Sequence, residues 1–145
     1  MIINYSMKKR VLATFVSVFF LMIPVAFTQN TDQPDPIKKV SQTLKEGNAG
    51  ELATLFNPTV EMEILGEENV YSKAQAELLL KDFFAKNKPT SFKLNHQGTK
   101  GSTSFAIGIM VTTTKNYRIS VFLKSENDRM LIHQIRIEVS DDRLK

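Results

Sequence analysis

The chain has 145 residues, 42% of them apolar and 23% charged, with no Cys and no Trp. That length suits one domain, and that apolar fraction excludes a disordered chain. The missing cysteines exclude a disulfide scaffold, a thiolate zinc site, a cysteine nucleophile and a lipid anchor on Cys. The formal net charge of +4 and the pI of about 9.3 raise nucleic acid or an anionic membrane surface as partners.

The charge is unevenly placed. Met7-Lys8-Lys9-Arg10 precede an apolar run from Val11 to Phe27, broken only by Thr14, Ser17 and Pro24, and polar residues resume at Thr28-Gln29-Asn30. A basic start, an apolar stretch and a Pro just before small residues form the layout of a secretory signal peptide over residues 1–28. Ala26 and Thr28 fit the small positions ahead of a cut before Gln29, and Met7 is a second candidate start. The competing reading is an uncleaved anchor, since the run sits at the lower limit for spanning a bilayer. Either way the folded part is expected outside the cytoplasm, in the periplasm or beyond. Lys8, Lys9 and Arg10 belong to the leader and no acid precedes Gln29, so 16 of the 19 bases remain against 15 acids, a net of +1. The nucleic-acid reading falls away.

Residues 29–35 read as a polar linker, 36–140 as the domain and 141–145 as a polar tail. Asp35-Pro36 opens a first helix with an Ile37, Val40, Leu44 stripe, and Gly47 stops it. Asn48 with Glu51 starts a second, whose stripe of Ala49, Leu52, Ala53 and Phe56 runs to Asn57-Pro58. Thr59 to Leu65 alternates as a half-buried strand, Gly66 to Asn69 turns, and Val70-Tyr71 returns briefly. Ser72 and Gln75 cap a long helix with Ala76, Leu79, Leu80, Phe83 and Phe84 inside and a Glu77–Lys81 pair outside. Lys88-Pro89 ends it.

Four strands follow. Phe92, Leu94 and His96 share one face of the first, and Gly98 to Gly101 turns into the second. Phe105 to Val111 is almost wholly apolar and is expected to be covered on both faces. Lys115-Asn116 makes a tight turn, Tyr117, Ile119, Val121 and Leu123 share the next inner face, and Ser125 to Asp128 turns again. Leu131, His133, Ile135, Ile137 and Val139 share the last. Short turns make these strands an antiparallel meander, and the class is α+β, three helices on a curved antiparallel sheet.

Gly50-Glu51-Leu52-Ala53-Thr54-Leu55-Phe56 followed by a strand at Val60, the Phe83-Phe84 helix and the meander carry a closer resemblance. Together they resemble the nuclear-transport-factor-2-like, cystatin-like cone shared by ketosteroid isomerases and polyketide cyclases. Within that superfamily the chain is most similar to small secreted bacterial proteins of the domain of unknown function 4783, over about residues 35 to 139. The resemblance implies a pocket between the helices and the sheet. It implies no single activity, because the fold hosts enzymes and binding modules alike.

His96 and His133 are expected on the pocket face, where a neutral imidazole serves as a general acid or base near neutral pH. The plainer role is a structural His satisfied by the backbone. Two intervening strands hold the pair roughly 14 Å apart, too far to share a metal with bonds near 2 Å. Tyr71 is placed to donate a hydrogen bond into the pocket, or to pack as a core aromatic. The isomerases of the superfamily use an inner-face Asp, whereas Glu61, Glu63 and Glu138 here point outward. Lys73, Lys81, Lys86 and Lys88 read as a solvated helix face, and Arg118 and Arg136 as partners for Glu138.

The expected function is an exported, non-catalytic domain that binds a small apolar ligand or a protein partner, with no cofactor and no metal. The alternative is a small-molecule isomerase, cyclase or lyase using His96 or His133 with Tyr71. A homodimer through the outer sheet face is a third reading, motivated by Phe105 to Val111.

Overall fold

Local signals set the three helix starts, and the end of the first helix, where the sequence places them. A computed structural model describes residues 35–141; the leader expected over 1–28, the expected linker up to residue 34 and the expected tail from 142 lie outside the described residues. Helix α1, Pro36–Glu46, begins with the Asp35 carboxylate accepting from the Ile37 amide at 3.0 Å. It ends where left-handed Gly47 (φ 64°) lets its own amide reach Leu44 O and that of Asn48 reach Thr43 O. A Cβ there would also stand 2.9 Å from the Pro89 ring, so this turn needs glycine twice over.

Helix α2, Ala49–Ala53, is shorter than expected. Phe56 does not continue its stripe but opens strand β1, Phe56–Ile64. The cause is tertiary: the Ile132 amide donates to Leu55 O at 2.7 Å and draws the chain into a sheet. Phe56 is buried all the same, from a strand instead of a helix. Leu65 and Gly66, both at positive φ (55° and 89°), turn β1 into β2, Glu67–Ser72. Glu67 to Asn69 therefore pair in the ladder and are not a turn.

Helix α3, Lys73–Lys86, has the expected capping box: Ser72 Oγ accepts from the Gln75 amide and Gln75 Oε1 from the Ser72 amide. Ala76, Leu80, Phe83 and Phe84 are buried, but Leu79 is 36% exposed. Its i,i+4 ion pair is Lys86–Asp82 at 2.7 Å, while Glu77 and Lys81 form none.

The meander is β3 (Pro89–Lys100), β4 (Thr103–Thr112), β5 (Asn116–Glu126) and β6 (Arg129–Ser140). Its turns differ from expectation. β3 runs on to Lys100, so Gly98 pairs with Phe105. The β4–β5 link is Thr113 to Lys115, held by Thr112 Oγ1, which donates to Lys115 O and accepts from the Lys115 amide. Asn127 and Asp128 (φ 48° and 60°) alone turn β5 into β6.

All six strands form one sheet in the order β2-β1-β6-β5-β4-β3, antiparallel except where β1 runs parallel to β6. Register shifts in β1, β3 and β6 bend it. Helix α1 lies against β3 and β4, and α3 against β1, β2 and α2. The core between them holds Leu44, Leu52, Met62, Leu80, Met110 and Ile135, all fully buried, each worth about 1.5–3 kcal/mol. These residues fall within a single unit, Gln33–Lys145.

Two bulges overturn the expected faces of the histidines. On β3 the register slips between Leu94 and His96, so Leu94 faces Gly108 but His96 faces Ile107. Passing one extra residue reverses every later side chain, and His96 is exposed on the face away from the helices. On β6, Leu123 pairs with Ile132 and Phe122 with Gln134, leaving His133 as the extra residue. Ile132 enters the core in place of Leu131 and His133, and Val139 at the strand end is exposed.

Candidate functional site

The centre of the helix-covered face is filled. Met62, Leu80, Met110, Ile119 and Ile137 are fully buried there. Space opens where the second half of α3 parts from the β1–β2 hairpin, in a cavity of about 250 Å³. Its apolar wall is Ile64, Leu65, Leu79 and Phe83, and its polar side is Glu67, Tyr71, Asp82, Lys86 and Asn87. Two larger and more open grooves flank α3: one of about 630 Å³ beside Gly47, Glu77 and Lys81, one of about 480 Å³ beside Ser72, Lys73 and Arg129.

Most polar groups around the cavity are already engaged. Asp82 pairs with Lys86 at 2.7 Å. Asn87 accepts from the Tyr117 hydroxyl at 2.6 Å through Oδ1 and donates to Phe83 O at 3.0 Å through Nδ2. Burial holds the Tyr117 hydroxyl above its ordinary 10.0, so it stays a donor. The Tyr71 hydroxyl makes no hydrogen bond among the described residues. Leu65 is 51% exposed and sits at positive φ, a conformation that costs an apolar side chain of order 1–3 kcal/mol and that often marks a working site.

Of the three residues singled out in the sequence, the structure brings only Tyr71 to this cavity. His96 and His133 do not line it. His133, with 31% of its side chain exposed, places Nε2 3.1 Å from Glu126 Oε1. That is ion-pair distance for a protonated imidazole, without hydrogen-bond geometry. Among the described residues no group of three or more His, Asp or Glu could hold a metal ion. Sequence reasoning missed Leu65, Leu79, Asp82, Lys86 and Asn87. The Asp82–Lys86 spacing was readable; the exposure of the two leucines was not, because it depends on where the hairpin packs.

The family model for the domain of unknown function DUF4783 matches residues 37–138, which is the whole of the helix-and-sheet unit bar its ends. The chain belongs to the DUF4783 family. A solved DUF4783 protein of Bacteroides ovatus is 36% identical, with a TM-score of 0.70 over 72% of this chain and 94% of that one. Another, of Bacteroides uniformis, is 34% identical, with a TM-score of 0.70 over 72% and 97%. An NTF-2-like protein of unknown function from Burkholderia xenovorans, 11% identical with a TM-score of 0.57 over 75% and 83%, shares the fold. No curated protein matches. The DUF4783 chain thus has the α+β fold of nuclear-transport-factor-2-like proteins, and the descriptions of these two DUF4783 relatives state no activity.

Proposed function

We propose that this chain is an exported, non-catalytic binding domain whose ligand is a small, mostly apolar molecule carrying one polar group. The ligand occupies the cavity between α3 and the β1–β2 hairpin. The observation that carries this reading is the pairing of exposed Leu65 and Leu79 with an uncommitted Tyr71 hydroxyl around one concave space. Apolar walls with a few placed polar groups are how small-molecule sites are built. The Met7–Phe27 leader supports export.

Binding is measured with an environment-sensitive apolar fluorophore and by native mass spectrometry of protein purified without detergent. Leu79→Lys is expected to abolish probe binding, and Tyr71→Phe to weaken a co-purified polar-headed ligand about tenfold, the worth of one hydrogen bond of about 1.4 kcal/mol. Equal binding by the parent and Leu79→Lys, with both folded, would assign the probe to another surface and end the proposal.

A further inference from the structure

The coverage expected on both faces of Phe105 to Val111 is not met among the described residues, since only Ile109 of those turned to the open face is buried. On the helix-covered face the departure is a charge. Glu67 pairs with Ile64, Asn69 with Met62 and Tyr71 with Val60 across the β1–β2 ladder. Directly opposite residues share a face, and Met62 and Val60 are fully buried in the core. Glu67 therefore sits on the side of the sheet that holds the core, and it lines the cavity with Leu79, Asp82, Phe83 and Lys86 of α3.

The chain supplies no countercharge for Glu67. Among the described residues it has no ion pair and no hydrogen bond. Lys86, the one base among the lining residues of the cavity, is held by Asp82 at 2.7 Å. Two acids therefore face one base there. The hairpin adds no base: from Phe56 to Ser72 it carries Glu61, Glu63, Glu67 and Glu68 and neither Lys nor Arg. Glu61, Glu63 and Glu68 lie on the opposite face, where Gln134 donates to Glu61 at 2.6 Å and Arg136 pairs with Glu63 at 2.6 Å. The Glu68 carboxyl is held above its ordinary 4.5, first by a hydrogen bond with Glu61, then by desolvation and by the charges of Glu61 and Glu63, with Arg136 opposing.

We infer that the polar group of the cavity's ligand is a cation, an ammonium on a small apolar body, with Glu67 as its carboxylate partner. This rests on the reading of the cavity as a ligand site. An ammonium brings donors and no acceptor, which matches a carboxylate that only accepts and a Tyr71 hydroxyl free to accept. Aromatic rings attract a cation over their faces, and Tyr71 and Phe83 belong to the same lining. Ile64, Leu65 and Leu79 take the apolar body. A carboxylate ligand would have to part Lys86 from Asp82 and then stand beside Glu67 and Asp82 together, like charge against like. A neutral head group would leave Glu67 as unmatched as it is in the free chain.

Displacement of the apolar fluorophore by octylamine, octanol and octanoate tests this with one apolar body and three head groups. Octylamine is an ammonium at about pH 7, since an alkyl amine titrates near the Lys value of about 10.4. It is expected to displace the fluorophore at least about tenfold more tightly than octanol, with octanoate weakest, and the gap should shrink in about 0.5 M salt. Glu67→Gln should cut octylamine affinity about tenfold and leave octanol within about twofold. Glu68→Gln, on the opposite face, should leave the preference standing, with circular dichroism unchanged in both variants. Equal displacement by the three, or octanoate the tightest, would overturn the cation and leave the cavity reading intact. A preference that survives Glu67→Gln, or that Glu68→Gln removes equally, would overturn the role of Glu67. A parent whose fluorophore none of the three displaces, or whose fluorophore is indifferent to Leu79→Lys, would end the cavity reading itself and the inference with it.

Discussion

A methyl group on Gly108 would overlap the Phe92 ring and stand 2.5 Å from the Lys93 carbonyl oxygen. Backbone cannot retreat as a side chain can, so Gly108→Ala is expected to cost about 1–3 kcal/mol, read as a lower urea midpoint at unchanged slope. Glu68 illustrates a single charge in the wrong company. Its folded-state pKa is raised, so its favourable contribution is complete below 4.5 and is lost as pH rises through the folded value. Glu68→Gln should therefore melt higher than the parent at about pH 7 and show no advantage at about pH 4. A gain that persists in acid would place the effect elsewhere than in the Glu61 and Glu63 charges. Tyr71 is the one predicted site residue that stands at the cavity, and a β2 residue opposite buried Val60 is well placed to be there.

At the scale of elements, the turn at Leu65–Gly66 trades stability for exposure. Two consecutive positive φ angles suit Asn-Gly, and Leu is a poor occupant. Leu65→Asn is expected to raise stability by up to about 1 kcal/mol while lowering apolar-probe affinity at the cavity. Both readouts come from one pair of titrations, and a loss of stability would contradict the strain. The bulges matter more than the turn. One extra residue in β3 and one in β6 move both histidines off the helix-covered face and bring Ile132 into the core. Period-two reading cannot see this, since a bulge is chosen by pairing with the neighbouring strand and leaves no residue signature here. Helix ends were readable because caps are local: Asp35, Gly47, Asn48 and Ser72 each satisfy amides or carbonyls within a few residues.

For the whole molecule, the proposed export leader would take Lys8, Lys9 and Arg10 with it and leave a domain with a net charge of +1. Intact-mass measurement of the protein recovered from outside the cytoplasm should give a chain starting at Gln29. Retention of Met7 or Met1 would favour the anchored form. Composition, caps and hydrophobic period were sufficient for the α+β class, the three helices and the four-strand meander, all of which rest on contacts close in sequence. The parallel seam of β1 on β6, the capture of Phe56 into a strand, and the cavity that Leu79 and Tyr71 share were decided only by tertiary structure. The seam, for example, joins Phe56 to Ile132, far apart along the chain. Neither segment alone records the partner that satisfies its backbone groups, so only the folded chain could settle which face each side chain took.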